Sequence, residues 1–101
     1  MISLIENKLA ELQGLCKKYD IQTMYVFGSA TTMLFNELSD IDILISFKEL
    51  PFDKYTDNYF GLHEELEGLF QRKVDLLTER SLSNPYFIES VEKTKRLLYA
   101  A

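Results

Sequence analysis

Two carboxylates one residue apart, Asp40 and Asp42, open the apolar run Asp40-Ile41-Asp42-Ile43-Leu44-Ile45-Ser46-Phe47. On an extended strand such a pair leaves the same face, separated by about 6.6 Å of rise. Like charges flanking Ile41 are costly there unless they reach solvent, find donors or bind a cation. A divalent metal relieves both the desolvation and the repulsion. Oxygen ligands without nearby His or Cys favour Mg2+ or Mn2+ over Zn2+, and Mg2+ is commonly held by one or two carboxylates plus substrate phosphates. Asp75, between Val74 and Leu76, holds an equivalent place in another apolar run and can supply a third oxygen ligand. Taken alone, an Asp-x-Asp pair is equally well explained by a strand end or a capped turn. A calcium loop starting at Asp40 fails, because Leu44 and Ile45 stand where an oxygen ligand and a glycine are needed.

Gly28-Ser29 is the second constellation, placed where Thr23-Met24-Tyr25-Val26-Phe27 stops. A strand that ends as a helix begins exposes backbone N–H groups, and with the helix dipole these can receive a phosphate. Gly28 would let a phosphate approach the backbone, and Ser29 adds a hydroxyl donor. An ordinary turn glycine with a serine N-cap fits the same two residues.

The elements that must position these residues follow from hydrophobic spacing. Ile2, Ile5, Leu9, Leu12, Cys16 and Tyr19 recur at steps of three and four and predict an amphipathic helix over Ser3 to Tyr19. Thr23 to Phe27 reads as a buried strand, Ala30 to Leu38 as a short helix, and Asp40 to Phe47 as a second strand. Tyr55, Tyr59, Leu62, Leu66 and Leu69 predict a long helix from after Pro51 to about Phe70, followed by a strand over Arg72 to Thr78. Asn84-Pro85 opens a further helix to about Lys93 or Thr94. Arg96 to Tyr99 closes the chain as a strand or as an extension of that helix. The expected class is α+β, an α/β two-layer arrangement with a small mixed sheet and helices mainly on one face.

Composition narrows the function classes. The 101 residues are 47% hydrophobic and 27% charged with four glycines and two prolines, which describes one compact domain over 1–101 rather than a linker or a disordered tail. Eleven Lys plus Arg against 16 Asp plus Glu give a net charge of −5, which argues against strong direct nucleic-acid binding through phosphate neutralisation. An anionic ligand would need a metal ion or a helix terminus. Cys16 is the only cysteine, so an intramolecular disulfide and a multi-cysteine zinc site are excluded, and a reducing, cytoplasmic setting fits. Neither a signal peptide nor a membrane span is visible.

Together, Gly28-Ser29, ten intervening residues and Asp40-Ile41-Asp42 resemble the signature of the polymerase-β-like nucleotidyltransferase superfamily, and the leading helix, the Val74-Asp75-Leu76 strand and Leu97-Leu98-Tyr99 extend the likeness to its minimal members. The resemblance implies a polymerase-β-like fold. It also implies metal binding and catalysis by Asp40, Asp42 and Asp75, and nucleotide binding by Gly28 and Ser29. Two metal ions roughly 4 Å apart can stabilise the attacking and leaving oxygens of such a transfer. The expected activity is Mg2+- or Mn2+-dependent transfer of AMP from ATP to a hydroxyl. By the same resemblance the acceptor and partner is a HEPN-domain toxin encoded nearby, adenylylated in some cases on tyrosine, with the minimal nucleotidyltransferase as antitoxin. The chain departs from the family where Ala30, Thr31, Thr32 and Met33 replace the usual basic residue and second glycine. That leaves room for a second reading, a catalytically weak or inactive module that neutralises a partner by contact. Transfer to a small-molecule hydroxyl would call for a substrate domain that the chain does not supply. A homo-oligomer stays open.

Other residues read more plainly. Lys48, Lys54, Arg72 and Lys73 could replace the missing basic group, but surface solvation is the simpler expectation. His63, the sole histidine, reads as a surface or partly packed residue. Tyr55 and Tyr59 fit core packing with exposed hydroxyls, and Glu64, Glu65 and Glu67 a solvated helix face.

Overall fold

The structure, a computed structural model, describes residues 2–28 and 40–101. Two short helices, α1 (Ile2–Glu6) and α2 (Leu9–Lys18), precede strand β1 (Ile21–Phe27) and strand β2 (Ile41–Phe47). A long helix α3 (Phe52–Phe70), strand β3 (Val74–Thr78), a 3-10 turn at Glu79–Ser81, helix α4 (Pro85–Thr94) and strand β4 (Arg96–Ala100) complete the order. Ser29 and the expected helix over Ala30 to Leu38 lie outside the described residues.

The N-terminal apolar stripe is not one helix. Lys8 N donates to Ile5 O at 3.0 Å, a tight turn that closes α1, and α2 restarts with Leu12 N donating to Lys8 O at 2.9 Å. Asn7 stands in this turn, as expected of a side chain that competes with helical hydrogen bonding. The break still leaves Ile5, Leu12 and Cys16 buried on the sheet side. Tyr19 falls after α2, where its hydroxyl donates to Glu65 of α3. Arg96–Ala100 is a strand, which resolves the open reading of the C-terminal segment.

The sheet order is β3-β2-β1-β4; β1 pairs antiparallel with both β2 and β4, and β2 runs parallel to β3. The parallel pair requires a crossover, which α3 supplies. Period-two alternation divides the sheet into two faces. Met24, Val26, Ile41, Ile43 and Ile45 point to a core completed by Leu12 and Cys16 of α2 and Leu62, Leu66 and Phe70 of α3. On the other face Phe27 and Leu44 pack with Val91 of α4. Asn84 caps α4, its Oδ1 accepting from Tyr86 N at 2.9 Å and Phe87 N at 3.3 Å. Among the described residues no helix is long and apolar enough to cross a membrane.

Candidate active site

Register brings the acidic residues together. Phe27 of β1 pairs with Asp42 of β2, and Asp42 pairs in turn with Asp75 of β3. One row across three strands therefore carries two carboxylates contributed by segments far apart in sequence. Being in register and adjacent, Asp42 and Asp75 interact closely enough for a proton on Asp42 to be stabilised by Asp75. Burial is the main cause that pushes the Asp42 carboxyl up to about 6, with the Asp75 hydrogen bond and the charges of Asp75 and Asp40 adding to it. Asp40 precedes β2 by one residue. Lys73 Nζ lies 3.8 Å from Asp40 Oδ2 and 3.9 Å from Asp75 Oδ1, so a single ammonium serves both.

Gly28 has φ +71°, a left-handed conformation that favours glycine. A Cβ there would sit 2.5 Å from Asp42 Oδ2, so the missing side chain is what gives the carboxylate its place. The Gly28 N–H donates to Thr94 Oγ1 at 3.0 Å, which ties the end of β1 to the last turn of α4. Ser29 lies outside the described residues.

Asp75 sits in an edge strand whose outer side is held by α3. Tyr59 donates its hydroxyl to Leu76 O at 2.5 Å, His63 Nε2 lies 2.7 Å from Val74 O, and Glu67 Oε2 accepts from Val74 N at 2.9 Å. These three side chains, four positions apart, form one stripe on the helix. Their hydrogen bonds bracket Asp75 in the strand. A hollow of about 370 Å3 opens beside the carboxylates, with Asp42, Asp75, Lys73 and His63 on its polar side and Phe27 and Phe87 on its apolar side. Phe87 meets Phe27 edge-on, ring centroids 6.0 Å apart.

The strand pattern of the sequence points to Asp42 and Asp75 as neighbours, whereas Lys73, His63, Tyr59 and Thr94 join them only through the folded structure. For Lys73 a pointer existed: it stands two positions before Asp75, hence on the same side of an extended segment. For Thr94 there was none, since nothing in its local sequence sets it against Gly28.

The donor set suits a hard cation. Three carboxylates, two of them in ion-pair range of one ammonium and the third resisting ionisation through burial and its neighbours' charge, offer the oxygen donors that Mg2+ or Mn2+ takes. Among the described residues no three His, Cys, Asp or Glu side chains are already drawn into a metal-ligand geometry.

Comparison with known proteins agrees with this architecture. The family pattern described as "Polymerase beta, Nucleotidyltransferase" matches residues 10–101. A Methanocaldococcus jannaschii protein to which protein adenylyltransferase activity is ascribed is 37% identical over 93 residues, 91% of this chain and 92% of its own. Protein adenylyltransferase MntA of Thermococcus cleftensis is 33% identical over 75 residues, 74% of this chain and 73% of its own. Among solved structures, a toxin-antitoxin complex with AMP-PNP superposes with TM-score 0.71 at 23% identity, covering 92% of this chain and 73% of that one. A complex of tri-AMPylated Shewanella oneidensis HEPN toxin with MNT antitoxin gives TM-score 0.66 at 21% identity, covering 95% of this chain and 72% of that one. At those identities the structural likeness bears on the fold, a mixed four-stranded sheet with helices.

Proposed function

The chain belongs to the polymerase beta nucleotidyltransferase family, and on that premise we propose that it transfers AMP from ATP to a hydroxyl on a protein partner, acting as the antitoxin of a HEPN-domain toxin in the cytoplasm. The observation that carries this reading is the in-register pairing of Asp42 with Asp75 beside Asp40. Asp40, Asp42 and Asp75 would hold Mg2+ or Mn2+. When bound, such ions neutralise phosphate charge and stabilise the attacking and leaving oxygens of the transfer.

The chain's own residues do the rest. Asp75, half exposed at the mouth of the hollow, accepts the proton of the incoming hydroxyl. The hydroxyl oxygen bonds to the α-phosphorus, the bond from that phosphorus to the bridging oxygen breaks, and pyrophosphate leaves. Gly28 and Ser29 receive the triphosphate, while Phe27 and Phe87 line the hollow with an apolar wall beside the reacting centre. Lys73 brings to the site a basic group that the segment after Ser29 lacks.

The test is incubation of the protein with labelled ATP, Mg2+ and the HEPN protein encoded beside it. Label should pass to the HEPN protein and be lost in Asp40→Asn. Tight complex formation without transfer would replace this reading with a module that neutralises its partner by contact.

A further inference from the structure

Among the described residues Lys73 is a cation that the structure sets against two of the proposed ligands at once, in ion-pair range of both and hydrogen-bonded to neither. At 3.8 Å and 3.9 Å from Asp40 and Asp75 its ammonium lies beyond the 2.7–3.2 Å of a direct N–H···O bond to either, yet within ion-pair range of both. The side chain is 68% exposed, so packing does not hold it there. A compact, mobile charge on a four-carbon stem can leave such a position without disturbing the fold.

Resting on the reading of these carboxylates as metal ligands, we propose that Lys73 is a displaceable counter-ion: in the metal-free protein its ammonium fills the gap between Asp40 and Asp75, and a divalent cation binds only by expelling it. Three carboxylates gathered at strand ends repel one another, and the ammonium moderates that repulsion until a stronger cation arrives. The arrangement sets a threshold. A hard divalent ion must outcompete a covalently tethered cation, so the site discriminates against weakly held ions and against low metal concentrations.

The competition predicts a gain of binding, which damage to the fold does not produce. With Mn2+ alone as probe, titration calorimetry should show Lys73→Met binding about three- to tenfold more tightly than the wild type, the affinity equivalent of one exposed ion pair or a little more. Lys73→Arg should stay within about threefold of the wild type because the charge is kept. Lys48→Met serves as the control for net charge: it follows β2, about 20 Å along the strand from Asp42, and should change the affinity less than about twofold. Asp42→Asn should abolish the binding. Equal affinities for Lys73→Met and wild type, or an equal gain in Lys48→Met, with Asp42→Asn still abolishing binding, would overturn the counter-ion and leave the metal site standing. Absence of Mn2+ binding in both wild type and Lys73→Met would overturn both.

Discussion

Replacing Gly28 by alanine tests how the backbone and the carboxylates depend on one another. The substitution meets two penalties that can be separated. At φ +71° a Cβ costs about 1–2 kcal/mol because an L-residue is forced into the left-handed region. The same Cβ would lie 2.5 Å from Asp42 Oδ2, closer than real contacts allow, so the carboxyl must give up its place beside Asp75 at a further cost of about 1 kcal/mol. Gly28→Ala should therefore lose about 2–3 kcal/mol in a wild-type background. With Asp42 cut back to alanine, the nearest remaining atom, its Cβ, is 3.7 Å away, an ordinary contact, and only the backbone penalty of about 1–2 kcal/mol survives. Equilibrium urea unfolding of the four proteins in metal-free buffer measures the difference, which is meaningful if the m-values agree. Equal losses in the two backgrounds would refute the idea that Gly28 exists to seat Asp42.

Two further outcomes follow from the same structure. Since the folded-state carboxyl of Asp42 is raised from 3.8 to about 6, the folded protein holds that proton more tightly than the unfolded chain. The stability difference between wild type and Asp42→Asn in metal-free buffer should thus be most favourable to the wild type below about pH 4 and decline by about 1 kcal/mol as pH rises through 6, the incomplete burial of Asp42 reducing the effect; a difference that grows over this interval contradicts the burial argument. Asn84→Ala removes the acceptor for two N–H groups of α4 and should cost about 1 kcal/mol, seen as a Tm lower by about 4–8 °C, with Asn84→Ser recovering most of it.

What could be read from sequence was local. The alternation of Asp40 to Phe47, the helical spacing of Tyr59, Leu62 and Leu66, and the Asn84-Pro85 start all depend on near neighbours, and β2, α3 and α4 formed where those patterns placed them. The N-terminal helix misled for the same reason: its stripe survives the turn at Asn7, so periodicity could not reveal the break. β1 begins at Ile21 rather than Thr23 because Ile21 pairs with Phe47 across a register shift, a fact about two strands. Asp75 is legible as a neighbour of Asp42 because it repeats the same apolar strand setting, and the two strands pair in register there. Lys73 and His63 were not placed, because their neighbours Asp40 and Val74 are brought to them only by the β2–β3 pairing and by the docking of α3.

The stripe of Tyr59, His63 and Glu67 also limits how a partner can approach. By occupying Leu76 O, Val74 O and Val74 N, it uses up hydrogen-bonding groups through which a foreign extended segment would add itself to the sheet beside the carboxylates. The opposite edge of the sheet is β4, three strand spacings or about 14 Å away. A protein acceptor on the proposed reading therefore reaches Asp42 and Asp75 by a projecting side chain and not by adding a strand beside them. Recognition of that partner must then be carried by surfaces around the hollow, and the backbone of the acceptor need not adopt a strand at all.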